Sequence, residues 1–375
     1  MDIPLIGPET LLGLPAPYWF IVFFKVFGFT LHMIPMNLWY AGLITVLLAG
    51  LFGGEHAKRL RDRFLKALPI LIALGINFGI VPLLFTQVGY YQSFYPATIL
   101  MAWPWFSVIL LVMIAYYGVY VYVVGLSHPT MGRLRRLAGW IAAGLFLVLG
   151  FIFANGFSLM TNIDGWPALW RATSYAGAAT GTGLNVADPG LWPRWLMMFG
   201  LALLTTAAYI LVDTAFFAGG EQAAYRLWAR RFAWRVSTIG VIWFGATGSW
   251  YFFGGLRGEI HSMLLGSPLV ILTVLTALSP GLPWLLTMIG LRNQARGLAL
   301  ATAVAQYGVL ALNAISRQIV QNAELAPVTD VTAQPVNLQL SPMVVFLALF
   351  IVGLGIVYWM VLQAVAAARR PAPGA

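Results

Sequence analysis

The sequence predicts an all-α fold: a polytopic bundle of about nine membrane-crossing helices, with the N-terminus outside and the C-terminus in the cytoplasm. Three observations predict it. Charged residues make up 9% of the 375 positions and hydrophobic ones 61%, whereas about a quarter of an ordinary soluble domain is charged. Apolar stretches recur along the whole chain, each supplying the roughly 20 residues that a helix needs to cross a bilayer. Basic clusters fall in alternate intervals between those stretches, the pattern produced when positive charge is retained on the cytoplasmic side.

The first span, about 18–50, is longer than a crossing requires and contains Pro35. A proline inside a helix removes a backbone donor, so a kink, a tilt or an extension beyond the bilayer is expected. The cluster Lys58/Arg59/Arg61/Arg63/Lys66 follows, then spans of about 68–89 and 101–125. The segment between these two is aromatic and uncharged, and its Trp103 and Trp105 suit an interfacial belt. Arg133/Arg135/Arg136 precede a fourth span, about 137–159. The interval 156–191 is the longest on the outer side, with Trp166, Trp170 and a Gly/Thr/Ala stretch that does not read as continuous helix.

The fifth span, about 192–215, opens on Trp192-Pro193-Arg194-Trp195, with proline at the first turn, where it is favoured. Arg226/Arg230/Arg231/Arg235 separate it from a sixth, about 234–253. Spans of about 266–290 and 297–316 flank Arg292/Arg296. The polar interval 318–340, with Glu324, Asp330 and Pro335, leads to a ninth, about 342–366, before Arg369/Arg370. Residues 1–375 thus read as one membrane domain. Residues 1–17 carry only Asp2 and Glu9 as charged side chains, which is not the basic start of a signal peptide and reads as a short extracytoplasmic lead-in. The outer loops have two readings, connecting lids or a docking face for a periplasmic partner.

Several function classes are excluded. With no cysteine, the chain has no disulfide, cysteine-ligated iron–sulfur cluster or covalently attached c-type haem. The net charge of +10 does not point to nucleic acid, because most basic residues sit beside apolar spans, where they orient the chain and attract anionic lipid headgroups. Phosphate-loop, dinucleotide and His–x–x–x–His patterns are absent, and His56 and His128 belong to no ligand cluster.

Chemistry is concentrated in the few polar residues inside apolar spans: Lys25, His32, Asn77, Asn155, Asp213 and Asn313. Lys25 is close enough to the outer end to snorkel. The others are expected to face the bundle, since an unpaired polar group in hydrocarbon costs several kcal/mol. His32 has two readings: a ligand to a b-type haem whose second ring nitrogen bonds a carbonyl, or an interhelical hydrogen bond. Asn77, in Gly75-Ile76-Asn77-Phe78-Gly79, is expected to bridge backbone freed by Pro82. Asp213 has two readings, a place in a proton relay or, more simply, pairing with the basic loop around Arg230. At the outer end Arg194, Glu259, His261, Arg317 and Gln318 share a depth, where arginine suits the polar head of a quinone or a haem propionate. Snorkelling to headgroups is the other reading.

These features together resemble the large, haem-bearing subunit of cytochrome bd-type quinol oxidases. His32 is similar to that family's histidine in span one, the Gly75–Gly79 stretch to its Ile-Asn-Phe segment, residues 192–196 to the start of its fifth span, and Ser316-Arg317-Gln318 to half of its Gly-Arg-Gln-Pro-Trp signature. There are departures. Met197 stands where the family places a histidine, Ala314 where it places a glutamate, Ile319-Val320 where it places Pro-Trp, and the outer loop between spans six and seven is short. The resemblance implies a bd-like subunit of an electron-transfer complex in a bacterial or archaeal cytoplasmic membrane. It would exchange electrons between membrane quinone or quinol and an extracytoplasmic redox partner, such as a periplasmic cytochrome, through heme b. His32 and Met197 would be iron ligands, Arg194, Arg317 and Gln318 further cofactor-binding residues, and other membrane subunits its neighbours. The alternative is a haem-less subunit that anchors partners. A transporter is a third reading, disfavoured by the scarcity of buried charge and of internal repeats.

Overall fold

The computed structural model describes residues 6–126, 128, 132–292 and 295–369; Asp2 and Arg370 lie outside them. Helix α1 (Tyr18–Asn37) passes through a π-turn at Leu38–Gly42 into α2 (Leu43–Phe52), so the first span is one 35-residue rod. Pro35 has no N–H for the carbonyl of Leu31, and the helix shifts register just beyond it.

Only Gly53 and Gly54 separate α2 from α3 (Glu55–Gly89), which absorbs the basic cluster expected in a loop. Lysine and arginine are good helix formers and extend the rod beyond the apolar stretch. Short α4 (Tyr91–Leu100) fills the aromatic interval, followed by α5 (Ala102–Gly125) and α6 (Arg133–Thr161). The long outer interval folds as α7 (Trp166–Thr173) and a two-stranded hairpin, β1 (Ser174–Tyr175) and β2 (Ala178–Ala179). Ala176 and Gly177 form its turn with φ of 50° and 80°, the left-handed geometry a tight hairpin demands.

Helix α8 (Leu191–Val212) ends in a π-turn, Asp213–Phe217, and α9 (Ala223–Trp250) in another, Tyr251–Gly255. The expected seventh span is broken at Ser279–Pro280, between α11 (Leu269–Leu278) and α12 (Gly281–Ile289), and is preceded by α10 (Gly258–Leu265). Helix α13 (Arg296–Leu325) runs nine residues past its expected end at 316, and α14 (Leu340–Arg369) closes the fold.

Among the described residues, eight helices are long and apolar enough to cross a membrane by length and composition. The protein is a multi-pass helical membrane bundle. Helix α9, the expected sixth span, falls short of that standard: its first half carries Arg226, Arg230, Arg231 and Arg235, and its second is rich in Gly, Ser, Thr and Trp. It is nevertheless packed along α8 with almost no gap. A β-carbon at Gly200 would lie 2.8 Å from the Phe244 amide nitrogen, and one at Gly240 would lie 3.0 Å from the Gly200 carbonyl oxygen. Small residues permit this backbone approach where no hydrophobic effect drives helices together.

The outer surface is apolar, with Phe106, Ile109, Ile271 and Leu349 all more than 60% exposed, as lipid contact requires. Helix α14 touches the bundle through Phe346 and Phe350, which meet Phe24 edge-on at 5.0 and 5.3 Å.

Three expectations about polar residues are corrected. Asp213 pairs with Arg63 of α3, at 2.6 and 2.9 Å, instead of the Arg230 region; Glu221 joins at 3.2 Å. The extended α3 carries Arg63 to that end of the bundle, whereas Arg230 turns to the Gly290 carbonyl. Asn77 is exposed and satisfies its own amide on the Ala73 carbonyl at 2.8 Å, one turn back, so Pro82 is not its partner. Lys25 does not snorkel; it is 8% exposed and held inside the bundle.

Candidate functional site

A cavity of about 140 Å³ opens between the outer halves of α1, α3, α6, α8 and α13; "outer" denotes the end to which the charge pattern assigns the N-terminus. Its walls are mostly apolar, including Phe29, Met36, Trp39, Phe146, Leu149 and Met198. Its polar lining consists of Lys25, His32, Thr86, Arg317, Gln318 and Gln321.

His32 is fixed from one side. Its Nδ1 lies 2.7 Å from the Gly75 carbonyl oxygen, and a β-carbon at Gly79 would sit 2.9 Å from the ring. With Nδ1–H donating to that carbonyl, Nε2 is the acceptor and has a lone pair available to the cavity. Both glycines belong to the segment around Asn77, so that stretch works as a seat for the imidazole, while Asn77 itself points away.

Lys25 lies two turns before His32 on the same helix face. Its Nζ donates to Gln318 Oε1 at 2.7 Å and to Gln321 Oε1 at 2.8 Å, and stands 4.1 Å from the centre of the Tyr90 ring. Gln318 Nε2 in turn donates to the Tyr90 hydroxyl and, at 2.9 Å, to Asn322 Oδ1. Gln321 Nε2 is buried and has no acceptor. Arg317 is sandwiched between Phe29 and Phe157, 4.6 Å from each ring centre. No carboxylate lies within ion-pair distance of Lys25 or Arg317 among the described residues. The rim therefore offers buried N–H donors with no carboxylate beside them, a costly arrangement in low dielectric unless an acceptor completes it.

The structure brings His32, Arg317 and Gln318 to one cavity. It puts Met197 elsewhere: its sulfur lies 3.6 Å from where a β-carbon would stand at Gly248, between α8 and α9, and of the two adjacent methionines it is Met198 that lines the cavity. Arg194 belongs to a second site. Its Nη2 donates to Glu324 Oε1 at 2.7 Å and to the Tyr251 hydroxyl at 2.9 Å. This pair borders a wider outer cavity of about 600 Å³, together with Asp188 and Arg257. A polar net shapes that cavity: Asn155 Oδ1 accepts the Asn185 amide at 2.7 Å, Asn185 Nδ2 donates to Ser158 at 2.9 Å, and Ser158 donates to Asp188. Glu259 and His261 join neither site; His261 packs against Phe252 at 4.5 Å.

Sequence reasoning missed Lys25 and Gln321 as site residues. The signal was present in their spacing: Lys25 is seven residues from His32, and Gln321 three from Gln318, each on one helix face. Among the described residues no group of three or more His, Cys, Asp or Glu could hold a bare metal ion. The cavity fits a different class of group, one with an apolar body, an acceptor-rich end and a position for one imidazole nitrogen.

No family model matches the sequence, and no curated protein does. Among solved structures, a chain of the bd oxidase from Geobacillus thermodenitrificans has the same fold, with a TM-score of 0.67 at 12% identity over 94% of this chain and 98% of that one. At that identity the likeness establishes a shared helical architecture.

Proposed function

We propose that this protein is a bd-like membrane subunit of a respiratory electron-transfer complex, with a b-type haem in the His32 cavity. It would pass electrons between membrane quinone and an extracytoplasmic redox partner. The observation that carries the reading is His32 itself, a half-buried imidazole with Nδ1 committed to a backbone carbonyl and Nε2 free, in a cavity that Lys25 and Arg317 also line with no carboxylate in ion-pair reach. His32 would be the iron ligand, and Lys25 and Arg317 would meet the propionates, with Gln318 orienting Lys25. A haem bound there supplies one-electron chemistry. The chain's own residues fix the imidazole, exclude water with apolar walls, and neutralise the ligand's anionic end.

The wider outer cavity, with Arg194 and Glu324, suits a quinone headgroup, whose carbonyl oxygens accept from arginine. Its mouth faces the side on which a periplasmic cytochrome and other subunits would dock. Met197, which faces α9 rather than the His32 cavity, would be a further candidate iron ligand.

A pyridine haemochrome assay on purified protein tests the proposal. At least one b-type haem per chain is expected, with His32→Ala reducing the haem content while the helical circular dichroism is unchanged. A haem-free wild type would overturn the reading and leave the anchoring role, which predicts stoichiometric copurification of partner subunits.

A further inference from the structure

We propose that the crevice between α9 and α12, at the end to which the charge pattern assigns the cytoplasm, binds one anionic phospholipid with its phosphate on Arg231 and Arg235. The site does not depend on the electron-transfer reading.

Basic residues at this end are of two kinds. On α3, Arg59 pairs with Glu221, Arg61 with Asp62, and Arg63 with both Asp213 and Glu221. On α9 and just after α12, by contrast, Arg226, Arg230, Arg231, Arg235 and Arg292 have no carboxylate within ion-pair distance among the described residues. Arg226 and Arg230 turn inward, where each Nη1 donates to a backbone carbonyl, of Gly219 at 3.1 Å and of Gly290 at 3.4 Å. Arg231 and Arg235 are exposed and meet no acceptor among the described residues.

Residues three and four apart share one face of a helix. Arg231 and Arg235 continue into Ile239 and Ile242, 55% and 67% exposed. That face is about 16 Å long; it begins with two guanidinium groups and ends in bare aliphatic side chains. Across the crevice, Met288 and Ile289 of α12 are also exposed, shortly before Arg292. The two helices are joined by Trp284 Nε1, which donates to the Thr238 hydroxyl at 3.0 Å, and by a contact of 2.8 Å between the Ser237 and Thr287 hydroxyls. Trp234 lies one turn before Thr238, and its indole N–H is buried without an acceptor. A buried donor left open is costly, so an acceptor is due beside the two exposed arginines.

These features select the occupant. Guanidinium groups grip phosphate oxygens through parallel N–H bonds, and basic pockets between helices at the cytoplasmic side suit lipid headgroups. A soluble anion would use the arginines and leave the aliphatic face bare. A phospholipid fills both parts: its phosphate sits on Arg231 and Arg235 and accepts from Trp234, and its acyl chains run along Ile239 and Ile242.

Native mass spectrometry of the purified full chain, titrated with phosphatidylglycerol or with phosphatidylcholine of the same acyl chains, tests the site. One phosphatidylglycerol should bind in preference. Arg231→Gln/Arg235→Gln should weaken it about 30-fold, at roughly fivefold per arginine. Arg133→Gln/Arg135→Gln, which removes the same charge from the start of α6, should leave it within about twofold. Trp234→Phe should weaken it several-fold. Equal affinity for the two lipids overturns the proposal, and so does an equal loss in both double variants, which would reduce the attraction to net charge. Unweakened binding in Trp234→Phe overturns the position in the crevice, and displacement by inorganic phosphate overturns the lipid in favour of a soluble anion.

Discussion

The two ends of this bundle treat buried charge in opposite ways. At the cytoplasmic end Arg63 is matched by Asp213 and Glu221, with a bidentate contact to Asp213. At the outer end Lys25 and Arg317 line a cavity with glutamine and aromatic neighbours and no carboxylate. The same chain that joins α3 to α8 by a complete ion pair leaves two cations open where a ligand can enter. Paired charge at one end reads as fastening, and unpaired charge at the other as a binding site.

The largest expected effect breaks the fastening. Asp213→Asn leaves Arg63 with Glu221 alone and should cost roughly 2–3 kcal/mol. That is below the 3–5 of a fully buried pair, because Arg63 keeps one partner and some solvent. Denaturant unfolding of the detergent-solubilised protein, followed by circular dichroism, measures it; an unchanged midpoint would show that the pair fastens nothing.

Next in size is a change behind the imidazole. Gly79→Ala puts a β-carbon 2.9 Å from the His32 ring, and displacement of a ligand's support typically lowers affinity by about 10-fold or more. Haem retained after purification should fall accordingly, with little loss of stability. Retention equal to wild type would separate His32 from the cofactor.

Arg317→Met sharpens the contrast by sign. It deletes an uncompensated charge and two cation–π contacts, so stability should stay within about 1 kcal/mol of wild type, while retention of an anionic ligand drops. A strongly destabilised variant would mean that Arg317, like Arg63, is a fastener.

The smallest effect lies outside the membrane. The Asp330 carboxylate is held below its ordinary range, chiefly by the Thr332 hydroxyl at 2.6 Å and then by the Thr332 amide at 2.9 Å. A depressed carboxylate contributes stability that is present above its unfolded pKa, about 3.9, and is lost as pH falls through the lower folded value. Asp330→Asn should flatten the acid side of a melting-temperature profile taken from pH 6 to 3, leaving the profile near neutrality almost unmoved.

Much of the frame was legible in sequence because hydropathy and loop charge act locally. Eight apolar helices, the extra length of the first span and the helix start at Pro193 follow from residue type and spacing. Helix ends were less legible. Helix α13 continues through Gln318, Gln321 and Glu324, residues whose polarity reads as loop but whose side chains meet Lys25 and Arg194 of neighbouring helices. Helix α9 reads as a span by its apolar second half, and its arginine-rich first half sets it apart.

The sequence by itself determined a multi-pass helical bundle, an imidazole in the first span and a set of intramembrane polar residues, because a bilayer admits backbone only as satisfied helices. Tertiary structure decided what those residues mean. Azimuth and helix contacts, which no linear pattern carries, sent Asp213 to Arg63, turned Asn77 out, and drew Lys25 inward to Gln318. They also placed Met198 rather than Met197 beside the cavity of His32.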